Sequence, residues 1–221
     1  MTELHIVAEG PTEESFVKTT LKPHLRNFSI YVKVSVVETS PGNKGGGNWK
    51  RWKKHLFTIM GQNLGKDVRF TTLFDLYGLP RDFPGRDDYC RDPDTVRRVH
   101  LLEQAMGEIV GSERFIPYLQ RHEFEALVLP CLDELSEWLD PRDRLGVVSL
   151  RNELRLANPE DVNDGWPTAP SKRLKTHIPA YIKTLHGPLA IDATGLDVVR
   201  SKCPRFDAWL TTLESLGKPT P

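Results

Sequence analysis

The stretch LHIVAEGPTEESFVKTTLKPHL, residues 4–25, decides the fold, because it joins a short apolar run directly to an amphipathic segment. The apolar run predicts a strand over residues 3–8, and the spacing of the apolar residues after it predicts a helix over about 13–25, with Thr12 as its N-cap. Glutamates stand at the junction of the two elements. Acidic side chains at the end of a buried strand call for a chemical explanation.

The same alternation of strand and helix continues through the first 131 residues. The patterns predict, in chain order, a strand in FSIYVKVSVVET (28–39), a helix near 48–64, a strand ending near Asp75, a loop over 80–94, a helix near 95–111, a strand in RFIPYLQ (114–120) and a helix beginning around HEFEALVL (122–129). Such alternation is typical of crossover units, so we predict an α/β fold with a mostly parallel central sheet flanked by helices.

The chain beyond about residue 132 is more polar and its pattern is helical, with DGWPTAPSKR, residues 164–173, as a marked loop. Neither an internal repeat nor a linker is evident. We therefore predict a single domain over residues 1–221, with a core of about 1–131 and a helical C-terminal region of about 132–221.

Composition narrows the class of protein. The chain has 221 residues, 38% of them hydrophobic and 27% charged, with a formal net charge of +0, so a nucleic-acid partner would need a local basic patch. Its three cysteines are far apart and lack metal-site spacing, which favours reduced thiols. No segment has the length and apolarity of a membrane span, and no signal peptide is recognisable. We expect a soluble, cytoplasmic protein.

Carboxylates follow three of the predicted strands. Glu9, Asp75 and Glu123 stand at or just after strand ends, and Glu13 lies one helical turn beyond Glu9. Ligands gather outside the carboxyl ends of parallel strands, and carboxylates converging there repel one another unless a cation neutralises them. Oxygen ligands suit Mg²⁺ or Mn²⁺, the ions of metal-assisted phosphodiester chemistry. Of Glu123 and Glu125 we expect only one to reach the metal, and Glu123 is nearer the strand end.

Each of these residues also has a structural interpretation. Glu13 in a first helical turn complements the helix dipole, and Asp75 is a residue favoured in turns. His122 could act as a base or orient a carboxylate, although a single histidine is more often simply hydrogen-bonded. Tyr77 argues against a phosphatase with an Asp nucleophile, which usually carries a second Asp at that position.

Two basic segments could hold nucleic acid. The first has Trp49 and Trp52 among its cations, and the second lies in PSKRLK; the candidate binding residues are Lys44, Lys50, Arg51, Lys53, Lys54, Lys172 and Arg173. The alternative is a solvated helix face with its tryptophans packed inward. The first segment lacks the Gly-Lys-Ser/Thr of a P-loop.

Five segments together resemble the bacterial domain-of-unknown-function 4276 family: VAEGPTEESFV, TTLFDLYGLPRDFPG, FIPYLQRHEFEALV, PSKRL and LHGPLAIDATGLDVVRSKCPRFDAWL. That family is grouped with the Toprim-like domains of topoisomerases, primases and OLD-type nucleases. The resemblance implies a Toprim-like sheet with an acidic cluster that binds divalent metal. Glu9 matches the glutamate after the first strand, Glu13 the second acid of that turn, and Asp75 the first acid of an Asp-x-Asp pair. Tyr77 replaces the second acid, so Glu123 or Glu125 would supply that charge.

The resemblance also implies a partner, because members of the family are often encoded beside ATPases of the ABC or SMC kind in loci suspected of antiphage defence. The leading hypothesis is a Mg²⁺- or Mn²⁺-dependent Toprim-like nuclease that cleaves DNA or RNA, with Glu9, Asp75, Glu123 and His122 as catalytic residues. Its metal ligands would be Glu9, Glu13, Asp75, Glu123 and Glu125. The alternative is a non-catalytic Toprim-like subunit that binds such an ATPase or nucleic acid. Nucleotidyl transfer or nucleotide hydrolysis would use the same metal site.

Overall fold

A computed structural model describes residues 1–40, 43–44, 47–154, 158–162 and 168–217, with backbone alone for 38–40 and 43–44. Its strands are β1 (Thr2–Ala8), β2 (Ile30–Val36), β3 (Glu38–Ser40), β4 (Asn43–Lys44), β5 (Val68–Asp75), β6 (Phe115–Ile116) and β7 (Leu119–Gln120). The first, second and fifth strands are rich in β-branched and aromatic residues, which suit a pleated, buried surface.

All the strand pairs of the main sheet are parallel. The order is β2-β1-β5, and the short strands β6 and β7 both pair with the far side of β5. Pro117 separates β6 from β7, because proline has no N–H to donate to a ladder, so the predicted fourth strand is two short pieces. The strands β3 and β4 form a separate antiparallel pair.

Helices cover both faces of this sheet. They are α1 (Pro11–Phe16), α2 (Lys22–Arg26), α3 (Trp49–Gln62), α4 (Arg86–Tyr89), α5 (Thr95–Val110), α6 (Leu132–Glu137), α7 (Pro141–Leu154), α8 (Pro170–His177), α9 (Lys183–Thr194), α10 (Leu196–Lys202) and α11 (Pro204–Glu214). A π-helical turn, Val17–Leu21, makes α1 and α2 continuous, and 3₁₀ turns span Phe124–Leu127, Leu129–Cys131 and Pro159–Asp161.

Two apolar clusters lie on opposite faces of the sheet. Leu4 and Ile6 of β1 pack on the face covered by α1 and the C-terminal helices, whereas Val7 packs on the face covered by α3 and α5. Burial on both faces is typical of a parallel sheet whose crossovers are helical. The α/β class, the mostly parallel sheet with flanking helices and the helical C-terminal region are therefore confirmed.

Three local predictions are corrected. The first helix begins at Pro11 with Gly10 as its N-cap, so Thr12 lies inside its first turn. The segment after β7 begins with 3₁₀ turns instead of an α-helix, and α6 starts only at Leu132. The predicted loop 164–173 is partly helical, because α8 begins at Pro170; residues 163–167 lie outside the described part of the chain.

Within the described ranges, no helix is long and apolar enough to cross a membrane.

Candidate active site at the carboxyl edge of the sheet

The predicted carboxylates meet at one edge of the sheet because β1, β5 and β7 run parallel. Glu9 follows β1, Asp75 ends β5, and the segment from His122 to Glu125 follows β7. Strands that run in the same direction end at the same edge, and this is where ligands bind in open α/β sheets. The name carboxylate cluster is used below for Glu9, Glu13, Asp75, Glu123 and Glu125.

Glu9 is held across the sheet edge by backbone. Its Oε2 accepts a hydrogen bond of 2.8 Å from the Asp75 backbone N–H, which ties the end of β1 to the end of β5. Gly78 packs directly on the carboxylate, because a Cβ at that position would lie 2.1 Å from Glu9 Oε1. Burial, and secondarily the charge of Glu13, raise the pKa of Glu9 to about 7.

Asp75 and Glu125 are two buried acids of the cluster. Asp75 is 5% exposed and Glu125 is 0% exposed. Oδ1 of Asp75 and Oε1 of Glu125 have no hydrogen-bond partner among the described residues, and the donor near Oε2 of Glu125 is Lys183. Burial raises the pKa of both groups, and the nearby carboxylates raise it further. Buried polar atoms are nearly always satisfied in proteins, so unsatisfied carboxylate oxygens at a ligand-binding edge point to a ligand.

The counter-charge in the described structure comes from Lys183, at the start of α9. Its Nζ lies 3.2 Å from Glu125 Oε2 and 3.8 Å from Asp75 Oδ2. These carboxylates, together with Glu13, raise the pKa of Lys183 above its usual value despite its burial. Sequence reasoning missed this residue, because Lys183 lies 58 positions after Glu125 in a segment without a recognisable motif. The one available signal was its place at a helix start, where a cation opposes the helix dipole.

Glu13 and Glu123 have backbone donors. Glu13 Oε2 accepts a hydrogen bond of 2.9 Å from the Gly10 N–H, so this backbone donor at the start of α1 is satisfied. Burial raises the pKa of Glu13. Glu123 Oε2 accepts 2.9 Å from the Ser171 N–H at the start of α8. Glu13 therefore also caps its own helix, and Glu123 also fastens α8 to the sheet edge.

Glu123 and Glu125 come to the same edge, because Glu123 is extended and Glu125 lies in the 3₁₀ turn that follows. Glu123 raises the pKa of both Glu9 and Glu125 through its charge. Glu125 is the one that shares Lys183 with Asp75. Glu125 also has an oxygen without a hydrogen-bond partner among the described residues, whereas Glu123 Oε2 accepts a hydrogen bond from Ser171.

His122 directly precedes Glu123 in the chain. It is 1% exposed, adopts a left-handed backbone (φ 64°) and packs against Tyr77 with ring centroids 5.5 Å apart. Burial and the nearby cation Arg121 lower its pKa to about 4, so the ring is neutral near pH 7. A catalytic role for His122 stays a prediction.

The donor set fits a hard divalent cation in its chemistry, because the cluster offers carboxylate oxygens alone and some of them are buried and unsatisfied. Across the described ranges, however, no three Asp, Glu, His or Cys residues have the spacing to ligate one ion. Lys183 lies between Asp75 and Glu125, so side-chain rotation would have to accompany binding of an ion.

The first basic segment divides between the core and the surface. Trp49 and Trp52 are buried against Phe83 and Phe74, so the tryptophans pack inward and cannot stack on bases. On the same helix, Lys50, Arg51 and Lys54 are exposed and Lys53 is half-buried. The side chain of Lys44 lies outside the described residues.

The second basic segment lies in α8. Arg173 forms an ion pair with Glu153, and its Nε donates 2.8 Å to the Thr168 carbonyl. Lys172 is exposed one residue after Ser171, whose N–H binds Glu123. The ion pair of Arg173 is an intramolecular role, whereas Lys172 is exposed beside the residue whose N–H binds the cluster.

Comparison with known proteins gives a family and two structural likenesses. The family model described as Domain of unknown function (DUF4276) matches residues 8–214. No curated protein matches the chain. The C-terminal region of the Burkholderia pseudomallei OLD protein aligns at 14% identity with a TM-score of 0.47, covering 97% of this chain and 98% of that one. The C-terminal region of the Xanthomonas campestris pv. campestris OLD protein aligns at 14% identity with a TM-score of 0.37, covering 96% of this chain and 97% of that one.

Proposed function

The chain belongs to the DUF4276 family, and we propose that it is a divalent-metal-dependent, Toprim-like nuclease that hydrolyses phosphodiester bonds of DNA or RNA. The observation that carries the proposal is the pair Asp75 and Glu125, buried at the carboxyl edge. Asp75 Oδ1 and Glu125 Oε1 have no hydrogen-bond partner among the described residues, and the donor near Glu125 Oε2 is Lys183. A protein that needed these acids only for its fold would have surrounded them with donors.

The proposal gives each acid a part. Asp75 and Glu125 would hold the ion, with Glu9 completing the oxygen set beside them. Mg²⁺ or Mn²⁺ would supply positive charge to the oxygens of the phosphodiester. Glu13 caps the start of α1 through the Gly10 N–H, and Glu123 keeps α8 against the site through the Ser171 N–H.

Lys183 provides a second positive charge at the same edge. With 41% of its side chain exposed, it can reach solvent and a bound phosphate as well as the carboxylates. An ammonium beside a phosphodiester oxygen stabilises the charge that develops there during hydrolysis. In the metal-free protein the pKa of Glu9 is about 7, so binding of an ion there would displace a proton from part of the population.

The test is a cleavage assay on supercoiled plasmid, single-stranded DNA and RNA, with Mg²⁺ or Mn²⁺. Glu9→Gln removes a site carboxylate at one end of β1, and Glu3→Gln makes the same chemical change at the other end of that strand. We expect Glu9→Gln to lower the cleavage rate by at least about 100-fold and Glu3→Gln to change it less than about twofold. Circular dichroism establishes that both variants fold.

Wild-type cleavage that survives Glu9→Gln would contradict the assignment of the site. Cleavage by none of the proteins, on any substrate or with either ion, would contradict catalysis by the isolated chain.

A second candidate is a non-catalytic subunit that binds an ATPase of the ABC or SMC kind, or nucleic acid, in an antiphage system. Two observations favour it: Tyr77 replaces the second acid after β5, and Lys183 already neutralises part of the cluster. A thermal-shift titration separates the two, because an ion that binds the folded state raises Tm by mass action. Tm independent of Mg²⁺ and Mn²⁺ favours the subunit, and addition of the ATPase then becomes the test.

A further inference from the structure

A groove of about 650 Å³ lies between the carboxyl end of β2 and α3, outside the carboxylate cluster. We call it the basic groove and define it by Ser35 on the strand and by Arg51, Lys54 and His55 on the helix. Its size is within the range of ligand-binding clefts, roughly 300–1,000 Å³.

The cations of the basic groove lie on one face of α3. Arg51, Lys54, His55 and Thr58 have the i, i+3, i+4, i+7 spacing that places side chains in a single row along a helix. The buried side chains of the same helix, Trp49, Trp52, Leu56 and Met60, occupy the opposite face. Packing of those four into the core therefore directs the Arg51 row towards the end of β2.

The basic groove is next to the carboxylate cluster. Val36 of the groove wall pairs with Ala8, the residue before Glu9, and neighbouring strands lie about 4.8 Å apart. Glu14, which also lines the groove, follows Glu13 directly in α1. The wall of the groove is therefore one strand away from the residue that precedes Glu9.

We propose that the basic groove holds the sugar-phosphate backbone of a single nucleic-acid strand whose next phosphodiester lies at the carboxylate cluster. The proposal rests on the proposed function, and it names how the substrate is held. Arg51 and Lys54 contact phosphates, and the Ser35 hydroxyl, 2.9 Å from His55 Nε2, contributes a polar contact between them.

The lining predicts what the basic groove recognises. No aromatic side chain lines it in the described part of the chain, so bases have nothing to stack on and binding is to phosphate. Among the described lining residues the carboxylate is Glu14, which is paired with Lys18 at 2.7 Å, and Arg51 and Lys54 supply positive charge. Binding is therefore independent of base sequence and strongly dependent on salt.

The experiment measures binding without metal, so that it does not depend on cleavage. Fluorescence anisotropy of labelled 20-nucleotide oligo-dT, oligo-dA and an RNA of mixed sequence is recorded in EDTA over a range of NaCl concentrations. The groove variant is Arg51→Gln with Lys54→Gln. The control variant, Arg26→Gln with Lys66→Gln, makes the same charge change at two exposed positions outside the groove lining.

We expect the groove variant to bind on the order of tenfold more weakly at 100 mM salt, with its salt slope reduced by about 1.4, since each phosphate contact on a single strand contributes about 0.7. The control variant should keep the wild-type slope within about 0.3. Oligo-dT and oligo-dA should bind equally, and the DNA and RNA arms identify which backbone is preferred.

Several results would overturn the basic groove as a binding site. These are equal losses in both variants, no loss in the groove variant, or no binding of any oligonucleotide by the wild-type chain. A changed oligomeric state of the groove variant with unchanged nucleic-acid affinity would assign the face to a protein partner instead. If the wild-type chain binds oligonucleotides but does not cleave them, the groove proposal is supported and the nuclease proposal is contradicted. If the groove variant cleaves at the wild-type rate, the nuclease proposal is supported and the groove proposal is contradicted.

Discussion

Two groups of carboxylates in the protein interior differ in the hydrogen-bond donors around them. Glu160 is 1% exposed, and its two oxygens accept from the Arg205 and Phe206 backbone N–H groups at the start of α11 (2.8 and 3.2 Å). Half-buried Glu103 accepts from the Leu119 N–H and from the Arg205 guanidinium (2.8 and 2.6 Å). Asp75 and Glu125, equally buried, have three oxygens without such donors in the described chain.

Glu160 and Glu103 have the contacts of structural acids, whereas Asp75 and Glu125, for which we propose a functional role, do not. Burial raises the pKa in both groups, so the pKa alone does not separate them. What separates them is the supply of donors: backbone N–H groups and an arginine at Glu160 and Glu103, and one partly exposed lysine at Asp75 and Glu125. A site prepared for an external cation keeps its oxygens available.

The largest effect on stability is expected from Glu160→Ala, which tests whether the two groups of acids differ in their structural role. Two backbone N–H groups at the start of α11 lose their acceptors inside the protein, which costs about 3 kcal/mol of unfolding free energy. Glu125→Gln, at an acid that satisfies nothing but Lys183, should change that free energy by less than about 1 kcal/mol. Urea unfolding followed by circular dichroism measures both. Equal destabilisation by the two substitutions would contradict the distinction.

Gly78→Ala tests how tightly the site is built around Glu9. The new Cβ would lie 2.1 Å from Glu9 Oε1, so the carboxylate must move and release the Asp75 N–H; we expect a loss of about 2 kcal/mol. The matched control is Gly61→Ala in α3, where nothing lies within 4 Å of the added Cβ. That change should stabilise the protein by up to about 1 kcal/mol in the same urea experiment. Wild-type stability of Gly78→Ala would show that Glu9 is not held there.

The pH dependence of stability isolates the charge on Glu9. Its folded-state pKa of about 7 exceeds the ordinary value of 4.5, so the folded state binds the proton more tightly and stability from this group is lost as pH rises from about 4.5 to 7. His122, with its lowered pKa of about 4, acts in the opposite direction between about 4 and 6.5.

Because His122 is present in both proteins, its contribution cancels in the difference between Glu9→Gln and wild type. We expect the stability of Glu9→Gln relative to wild type to increase by about 2 kcal/mol from pH 5 to pH 8 in metal-free buffer. Denaturant titrations at four pH values measure it. A difference that stays constant with pH would show that Glu9 is ionised throughout and not perturbed.

The smallest expected effect is that of Lys183→Met. Removal of the ammonium leaves Asp75 and Glu125 without their counter-charge, and we expect a loss of about 1 kcal/mol at pH 8. The loss should shrink at pH 5, because the carboxylates then take up protons instead. Lys175→Met, at an exposed position of α8, is the control and should have no effect beyond about 0.5 kcal/mol. A loss that is the same at both pH values would indicate packing by the Lys183 stem.

The sequence alone was sufficient for the sheet and for its acidic edge. The apolar runs of β1 and β5, and their alternation with helices, predict parallel strands, and parallel strands bring Glu9 and Asp75 to one edge. These inferences use only neighbours in the chain and a general rule of chain direction. The same local patterns were insufficient for the cap at Gly10 and for the 3₁₀ turns after β7, because competing local conformations differ little in free energy there.

The tertiary structure decided which charges meet. Lys183 lies more than 100 residues after Asp75 in sequence. It reaches Asp75 and Glu125 because its helix, α9, packs against α1. The division of the basic segment also follows from packing, since burial of Trp52 on Phe74 turns Arg51 and Lys54 towards β2. Strand and helix patterns are local properties of the chain. The partners of a charge depend on contacts between distant segments, which only the packed core brings together.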